Sequence, residues 1–221
     1  MNRKIPMLVA SLLVLTACAG ERTIDRTAEL TFDGLAPIKN SSFSEAWADP
    51  DIDFGQYNKI MLGDAQFEFR AVKKTSSSTA MRRNSTSEFW IDDANRAKLI
   101  ETVTAVFAEE LANTKGFTIT DKPGPDTLVL VGALHDIVSR VPPELIGRGD
   151  IYLTSLGEAT LVLQAMDSLS GETIYRAVDR RRIERMGGAI QANSVTTWSE
   201  VRRWAQRWAV RLRQGLESIH E

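Results

Sequence analysis

An apolar run near the middle of the chain, LVLVGAL at residues 128–134, constrains the fold most strongly. In an extended segment this run places apolar side chains on both faces, because successive side chains of a strand point in opposite directions. A strand of this kind is stable only where neighbouring elements cover both of its faces, or nearly all of both, and shield them from water. The run therefore predicts a central strand in a sheet that other elements pack against.

Alternating apolar patterns elsewhere predict the neighbouring strands. Residues 57–69 predict a first strand disturbed near Gly63, and 117–120 predict a short one. The clearest hairpin comprises 159–167 and 172–184, with a glycine-containing loop at 167–171 between them. Pro142 and Pro143 end the extension of the central strand.

A helix is predicted to begin after Asp92 or Asp93 and to stop at Gly116. The face expected to be buried carries Ile100, Val103, Phe107 and Leu111.

A second helix is predicted near the C-terminus, with a capping box formed by Thr197 and Glu200. Its opposite face carries Arg203, Arg207 and Arg211, which we call the arginine row. The spacing of Trp204 and Trp208 favours core positions over a binding surface. The predicted apolar stripe consists of Val201, Trp204, Ala205, Trp208, Ala209, Leu212, Leu216 and Ile219.

Together these elements predict an α+β fold, a two-layer sandwich of a mixed four- to five-stranded sheet and two main helices. The chain has one cysteine, so an intramolecular disulfide is excluded and stability must come from packing.

The N-terminus has the pattern of a secretory signal, with Arg3 and Lys4 before an apolar run at 7–15 that is too short to span a bilayer. The sequence Leu-Thr-Ala-Cys at 15–18 resembles the lipobox of bacterial lipoproteins at all four positions. The resemblance implies cleavage before Cys18 and acylation of its sulfur and its nitrogen. Ala19, in place of an aspartate, implies the outer membrane as the address.

These observations predict three parts: a lipoprotein signal peptide at 1–17, a lipidated flexible tether at 18–42, and a single periplasmic α/β domain at 43–221. The domain is expected on the periplasmic face of the outer membrane. Apart from the covalent lipid on Cys18, no cofactor is predicted.

Charge separates the possible partners. Removal of Arg3 and Lys4 with the leader lowers the basic count from 27 to 25 against 29 acidic residues, so the formal charge moves from −2 to −4. A nucleic-acid-binding protein is expected to be more basic than this. The predicted partners are the membrane, through the lipid anchor, and an envelope protein or glycan.

Local basic clusters nevertheless stand out. They are the arginine row, the run Arg180, Arg181 and Arg182, and the cations of a Ser-rich loop at 73–87. Two interpretations stay open: solvated faces balanced by nearby acids, or a surface for an anionic lipid, glycan or acidic partner. Trp90, beside the loop, is a further contact candidate. The loop cations are Lys73, Lys74, Arg82 and Arg83.

Catalytic patterns are weak in this sequence. The chain has two histidines, of which His135 is expected at the end of a strand and His220 is the penultimate residue. No serine completes the glycine-serine-glycine elbow of α/β-hydrolases. The sequence therefore predicts a protein that is not an enzyme.

Metal-binding patterns are also incomplete. Asp49, Asp51 and Asp53 have the spacing that opens a calcium loop, but its sixth and twelfth positions hold Phe54 and Ile60 where glycine and glutamate are needed. We interpret the three aspartates as turn residues, and no metal site is predicted.

Several short motifs resemble a domain-of-unknown-function family of Gram-negative outer-membrane lipoproteins. They are Asp-Gly-Leu at 33–35, Pro-Gly-Pro-Asp at 123–126, Asp-Ser-x-Ser-Gly-Glu at 167–172 and Trp-Ala at 208–209. The order of elements is also similar to that in lipoprotein domains of curli secretion and penicillin-binding-protein activation, and in the N-terminal part of the Tol-Pal periplasmic protein. None of these is an enzyme, and the Ser-rich loop fits neither pattern.

The leading hypothesis is a non-catalytic binding or accessory module that an outer-membrane anchor presents to an envelope partner. The alternative is an envelope hydrolase or a lipid-transfer protein. A hydrolase needs a cleft in which carboxylates and a nucleophile converge, and a transfer protein needs an apolar cavity for acyl chains.

Overall fold

The computed structural model describes residues 22–73, 87–142, 151–185 and 188–218. Within them the chain forms two long helices, α1 (Asp93–Leu111) and α2 (Ser194–Glu217), and one 3-10 turn at Phe54–Gln56. The strands are β1 (Thr23–Ile24), β2 (Ala36–Lys39), β3 (Glu45–Ala48), β4 (Lys59–Leu62), β5 (Gln66–Phe69), β6 (Thr118–Ile119), β7 (Thr127–Ser139), β8 (Tyr152–Leu153), β9 (Gly157–Asp167), β10 (Thr173–Arg182) and β11 (Ile190–Gln191).

The described part of the chain has a mixed sheet of nine strands in the order β1-β2-β3-β10-β9-β7-β4-β6, with β5 also paired to β7. Strands β4 and β5 run parallel to β7, and β6 runs parallel to β4, whereas the other pairs are antiparallel. Strands β8 and β11 form a separate pair.

The α+β class, the mixed sheet and the two main helices are confirmed, but the predicted count of four to five strands is wrong. The short strand predicted at 117–120 is present as β6, and the missed strands of this sheet are β1, β2 and β3, of two to four residues each, which extend it beyond β10. Their pairing depends on contacts with distant segments, so the local pattern does not reveal them.

The apolar run at 128–134 lies in β7, between β9 and β4. Its inward side chains Leu128, Leu130 and Leu134 are buried, and Leu130 and Leu134 share a cleft with Val103 of α1 and Leu212 of α2. The alternate side chains, such as Val129 and Val131, are half-buried. The helices therefore cover one face of β7 and the other face keeps partial contact with solvent, as in a two-layer fold.

Gly63 separates β4 from β5, as the sequence predicts. Its N–H donates to the carbonyl oxygen of Leu130 at 2.8 Å, and a Cβ at this position would lie 2.9 Å from the Val131 side chain. The predicted hairpin is also confirmed as β9 and β10, and its loop contains Gly171 at φ +73°, a conformation that suits glycine.

Helix α1 begins as predicted, since the carboxylate of Asp92 accepts a hydrogen bond from the N–H of Asn95 at 2.7 Å. Its buried face is rotated from the predicted one, however. Ile100 is 37% exposed and Phe107 is only partly buried, and the helix ends at Leu111, well before Gly116. The buried residues are Leu99, Val103, Val106 and Leu111.

Helix α2 begins earlier than predicted. Asn193 is the cap, and its Oδ1 accepts from the N–H of Thr196 at 2.8 Å, so Thr197 and Glu200 lie inside the helix and form no capping box. The apolar stripe is confirmed from Val201 to Leu216, whereas Ile219 lies outside the described residues. Trp204 and Trp208 are buried, with ring centroids 4.3 Å apart.

The segment at 22–42, predicted as part of a flexible tether, forms β1 and β2 and completes one edge of the sheet. Leu35 and Ala36 in it are buried. Its apolar residues are too few to show a period, and they become buried only because β2 pairs with β3. Across the described residues, none of the helices has the length and apolar character needed to span a membrane.

Candidate functional site

A cavity of about 410 Å³ lies between the C-terminal half of α2, the inward face of the sheet and the N-terminal segment, and we call it the α2 cavity. This volume is within the range of small-molecule binding pockets. Its walls are mainly apolar and include Ile38, Phe43, Leu128, Ala165, Leu212 and Leu216.

Two cations and a phenol also line the α2 cavity. Arg22 donates from Nη2 to Ser42 Oγ at 2.7 Å, and its Nη1 packs beside Gly215 of α2, where an added Cβ would lie 3.9 Å away. Arg211 precedes Gly215 by about one helical turn. Burial raises the pKa of Tyr175 to about 12, although the positive charge of Arg22 opposes the shift. Two guanidinium groups and one phenol, from three separate parts of the chain, thus line an otherwise apolar cavity.

Next to the cavity, the buried carboxylate of Asp179 joins β10 to α2. It accepts hydrogen bonds from Ser44 Oγ at 2.6 Å, from Trp208 Nε1 at 2.7 Å and from Arg181 Nε. Arg211 lies 3.6 Å away. Burial raises the pKa of Asp179, but the hydrogen bonds from Ser44, Arg181 and Trp208 outweigh burial and hold the pKa below its usual range. We call these five residues the Asp179 cluster.

Arg211 belongs to both the Asp179 cluster and the wall of the α2 cavity. Its Nη1 is buried and, among the described residues, has no hydrogen-bond partner, since 3.6 Å to Asp179 is too long for one. Burial lowers the pKa of Arg211, and the charge of Arg181 lowers it further. Because Nη1 is buried against Asp179, it is the other atoms of Arg211 that line the cavity.

The arginine row predicted from the sequence is divided by the structure. Arg203 donates to the buried carboxylate of Glu200 at 2.8 Å, and Arg211 turns towards Asp179. Arg207 between them is exposed, and within the described residues it forms neither a hydrogen bond nor an ion pair. The three residues share one helix flank, and of the three only Arg207 has no carboxylate of the described residues within ion-pair distance.

The other flank of α2 is neutralised by α1. Arg202 pairs with Glu109 at 2.7 Å, and Arg213 pairs with Glu110 at 3.1 Å. Since these cations face acids on a neighbouring helix, their charges are balanced locally and offer less to an anionic partner.

The run at 180–182 does not form a basic patch, because the alternation of β10 sends its side chains to opposite faces. Arg180 and Arg182 pair with the buried Glu158 at 2.9 and 3.2 Å, and Arg181 pairs with Asp179. Sequence analysis missed both carboxylates. Asp179 is two residues after the apolar Ala177 and therefore on the same face of β10. An acid on the apolar face of a predicted strand is the signal that could have revealed Asp179.

The remaining predicted contact residues are spread over the chain. Lys73 is exposed, whereas Lys74, Arg82 and Arg83 lie outside the described residues, as does Cys18. Trp90 is half-buried and lines a separate pocket near the N-terminal end of α2, with Trp198 and Trp204. The structure therefore does not bring Trp90 together with the arginine row.

The residues considered for chemistry have structural partners. His135 Nδ1 lies 2.7 Å from Glu68 Oε2 in an exposed position. Asp49 accepts from the N–H of Asp51 at 2.8 Å, and Asp53 accepts from the N–H of Gly55 at 2.9 Å, so both act in turns. Among the described residues, no three potential metal-ligating side chains form a group that could hold an ion.

The profile of a family described as protein of unknown function (DUF3313) matches residues 27–212. A comparison with curated proteins returns no match. The description of the family names no activity.

Solved structures that match this chain share little sequence with it. A protein described as a homologue of neuraminyllactose-binding hemagglutinin from Helicobacter pylori is 11% identical, with a TM-score of 0.39 over 74% of this chain and 87% of that one. The PelC dodecamer from Paraburkholderia phytofirmans is 11% identical, with a TM-score of 0.35 over 72% and 89%. Protein XCC0632 from Xanthomonas campestris is 8% identical, with a TM-score of 0.36 over 74% and 85%.

Proposed function

We propose that this chain, which belongs to the DUF3313 family of proteins of unknown function, is a non-catalytic binding module of the bacterial envelope. A lipid on Cys18 holds it on the periplasmic face of the outer membrane, and the exposed flank of α2 binds an anionic envelope partner, a protein or a glycan. The lipobox-like pattern that ends at Cys18 supports the anchor.

The uncompensated charge of Arg207 is the observation that carries the proposed binding role. Helix α2 contains five arginines and two glutamates, and the cations that face α1 are paired with acids. Arg207 lies on the flank away from these pairs, between Arg203 and Arg211. An exposed cation on a rigid helix can attract and orient an anionic partner through long-range electrostatics.

A lipid-transfer protein is the second candidate, and the α2 cavity favours it. A hydrolase has less support, because within the described residues the ring of His135 bonds to Glu68 and to no nucleophile.

Replacement of Arg207 by Gln tests the binding role. Arg203 and Arg211 are unsuitable for this purpose, because each lies against a buried carboxylate and its loss would destabilise the fold. Arg202→Gln is the matched control, since it removes the same charge from the other flank of α2.

In crosslinking experiments in cells, we expect Arg207→Gln to reduce the yield of the partner adduct several-fold and Arg202→Gln to leave it nearly unchanged. Added salt in extracts should reproduce the Arg207→Gln defect, since exposed charges are screened beyond about 8 Å at physiological ionic strength. Equal adduct yields from the two variants would disprove the role of the α2 flank.

The anchor is tested separately with Cys18→Ala. The parent chain should incorporate labelled fatty acid and sediment with outer membranes. The variant should lose the label and leave that fraction, because stable attachment depends on more than one acyl chain. An unlabelled variant that still sediments with the membranes would contradict the anchor.

A further inference from the structure

We propose that the α2 cavity binds a single-chain anionic amphiphile of the fatty-acid class, with its acyl chain against the apolar walls and its carboxylate on Arg22 and Arg211. The proposal goes beyond the proposed function, because it assigns a second site, separate from the exposed flank of α2. It depends on that function only for the membrane location of the chain.

The walls of the α2 cavity suit an acyl chain. Leu128 and Ala165 from the sheet and Leu212 and Leu216 from α2 are all buried, and they line the space with aliphatic groups. Moving methylene groups from water into such a space is favourable. A small hydrophilic anion would leave these walls unfilled.

The polar end of the cavity suits a carboxylate. Arg22 and Arg211 both lie beside the turn of α2 that ends at Gly215, and Gly215 leaves room for the Arg22 guanidinium. Among the described residues Arg22 has no carboxylate partner, and the one carboxylate in ion-pair distance of Arg211, whose side chain is 30% exposed, is Asp179 at 3.6 Å. A bound carboxylate would add negative charge beside both guanidinium groups, whereas a neutral lipid would not.

The surroundings of the two arginines cancel their charge only in part. Asp53 also lines the cavity and keeps its negative charge, since the hydrogen bond that its Oδ1 accepts from Gly55 comes from a neutral N–H. Asp179 faces Arg211, but Arg181 also pairs with this carboxylate. The charged residues that line the cavity are two arginines and one aspartate, so the lining carries a net charge of +1.

Chain length places the cavity near the source of the ligand. Arg22 follows Cys18 by four residues, which span at most about 14 Å when fully extended. An anchor on Cys18 would therefore keep the mouth of the α2 cavity close to the bilayer surface. Membrane fatty acid is the occupant to which we commit.

The test uses the full lipidated chain bound to phosphatidylcholine vesicles, and stearic acid with a nitroxide near its methyl end as the probe. Probe in the bilayer gives a mobile electron paramagnetic resonance spectrum, and probe in a protein cavity gives an immobilised component. With stearic acid we expect an immobilised component that saturates at about one probe per chain. With the methyl ester of the same probe, which lacks the negative charge, the immobilised component should be several-fold smaller.

Arg22→Gln is the main variant, because Arg22 is exposed at the edge of the sheet and is separate from the Asp179 cluster. It should weaken probe binding several-fold, whereas Arg26→Gln, an equal charge change outside the cavity, should not. Ala165→Phe should reduce binding of both probes by filling the space between the layers. Circular dichroism establishes that each variant is folded.

Three results would overturn the proposal. The first is the absence of an immobilised component from the parent chain, and the second is equal binding of the acid and its methyl ester. The third is a component that appears only in Cys18→Ala, which would mean that the lipid of the chain itself fills the cavity. Arg207→Gln should leave probe binding intact, so a failure of partner binding and a failure of the fatty-acid site can be told apart.

Discussion

The indole Nε1 of Trp208 donates a hydrogen bond of 2.7 Å to Oδ2 of Asp179, and both residues are almost completely buried. This bond joins α2 to the middle of β10. The same carboxylate accepts from Ser44 of the N-terminal segment, so three distant parts of the chain meet on one side chain. The Asp179 cluster therefore fixes the position of α2 and, with it, one wall of the α2 cavity.

Asp179→Asn should strongly destabilise the fold. Asparagine keeps the shape of the side chain but removes the negative charge that faces Arg181 and Arg211. We expect a loss of about 3 to 5 kcal/mol in the free energy of unfolding, as for a broken buried ion pair. Asp51→Asn, at an exposed turn, should change this free energy by under about 0.5 kcal/mol. Urea titrations of the two variants make the comparison, and similar losses would contradict the structural role of Asp179.

The stability of the fold should also depend on pH through Asp179. Its pKa in the folded state lies below the ordinary value of 3.8, so the folded state binds fewer protons than the unfolded state in this range. The contribution of Asp179 is therefore complete well above pH 3.8 and is lost as the pH falls below that value. Urea midpoints between about pH 7 and pH 3 should fall on acidification, and the fall should be smaller in Asp179→Asn. An identical pH dependence in both chains would contradict this assignment.

Two glycines in the sheet should respond differently to alanine. A Cβ at Gly157 would overlap the carbonyl oxygen of Val138 on the neighbouring strand, which is backbone and cannot move aside. A Cβ at Gly132 would make an ordinary contact of 3.7 Å with Leu163. We expect Gly157→Ala to cost about 1 to 3 kcal/mol and Gly132→Ala to stay within about 1 kcal/mol of the parent. Denaturant unfolding measures both, and the reverse order would show that the β7 and β9 register is misassigned.

Leu35 tests whether the segment at 22–42 is part of the folded domain. It is 1% exposed, so Leu35→Ala should reduce the free energy of unfolding by about 2 to 5 kcal/mol. Leu30 in the same segment is 50% exposed, and Leu30→Ala should change it by under about 0.5 kcal/mol. If both variants matched the parent in thermal unfolding, the segment would be a tether after all.

Much of the architecture could be predicted because its signals are local. The hairpin of β9 and β10, the break at Gly63 and the buried stripe of α2 each follow from the spacing of residues a few positions apart. The predicted end of α1 and the predicted cap of α2 were wrong. Gly116 and Thr197 fit the patterns of helix ends, but α1 already ends at Leu111 and Asn193 already caps α2.

The candidate site depends on contacts that no local pattern contains. The sequence by itself determined the main helices, the central strand and an arginine row on α2. Only the tertiary structure decided which of those arginines remain uncompensated, because Asp179 lies 32 positions before Arg211 and 135 positions after Ser44. The α2 cavity has the same origin: its walls come from β2, β7, β9 and α2, and packing between layers, rather than any single segment, sets its shape.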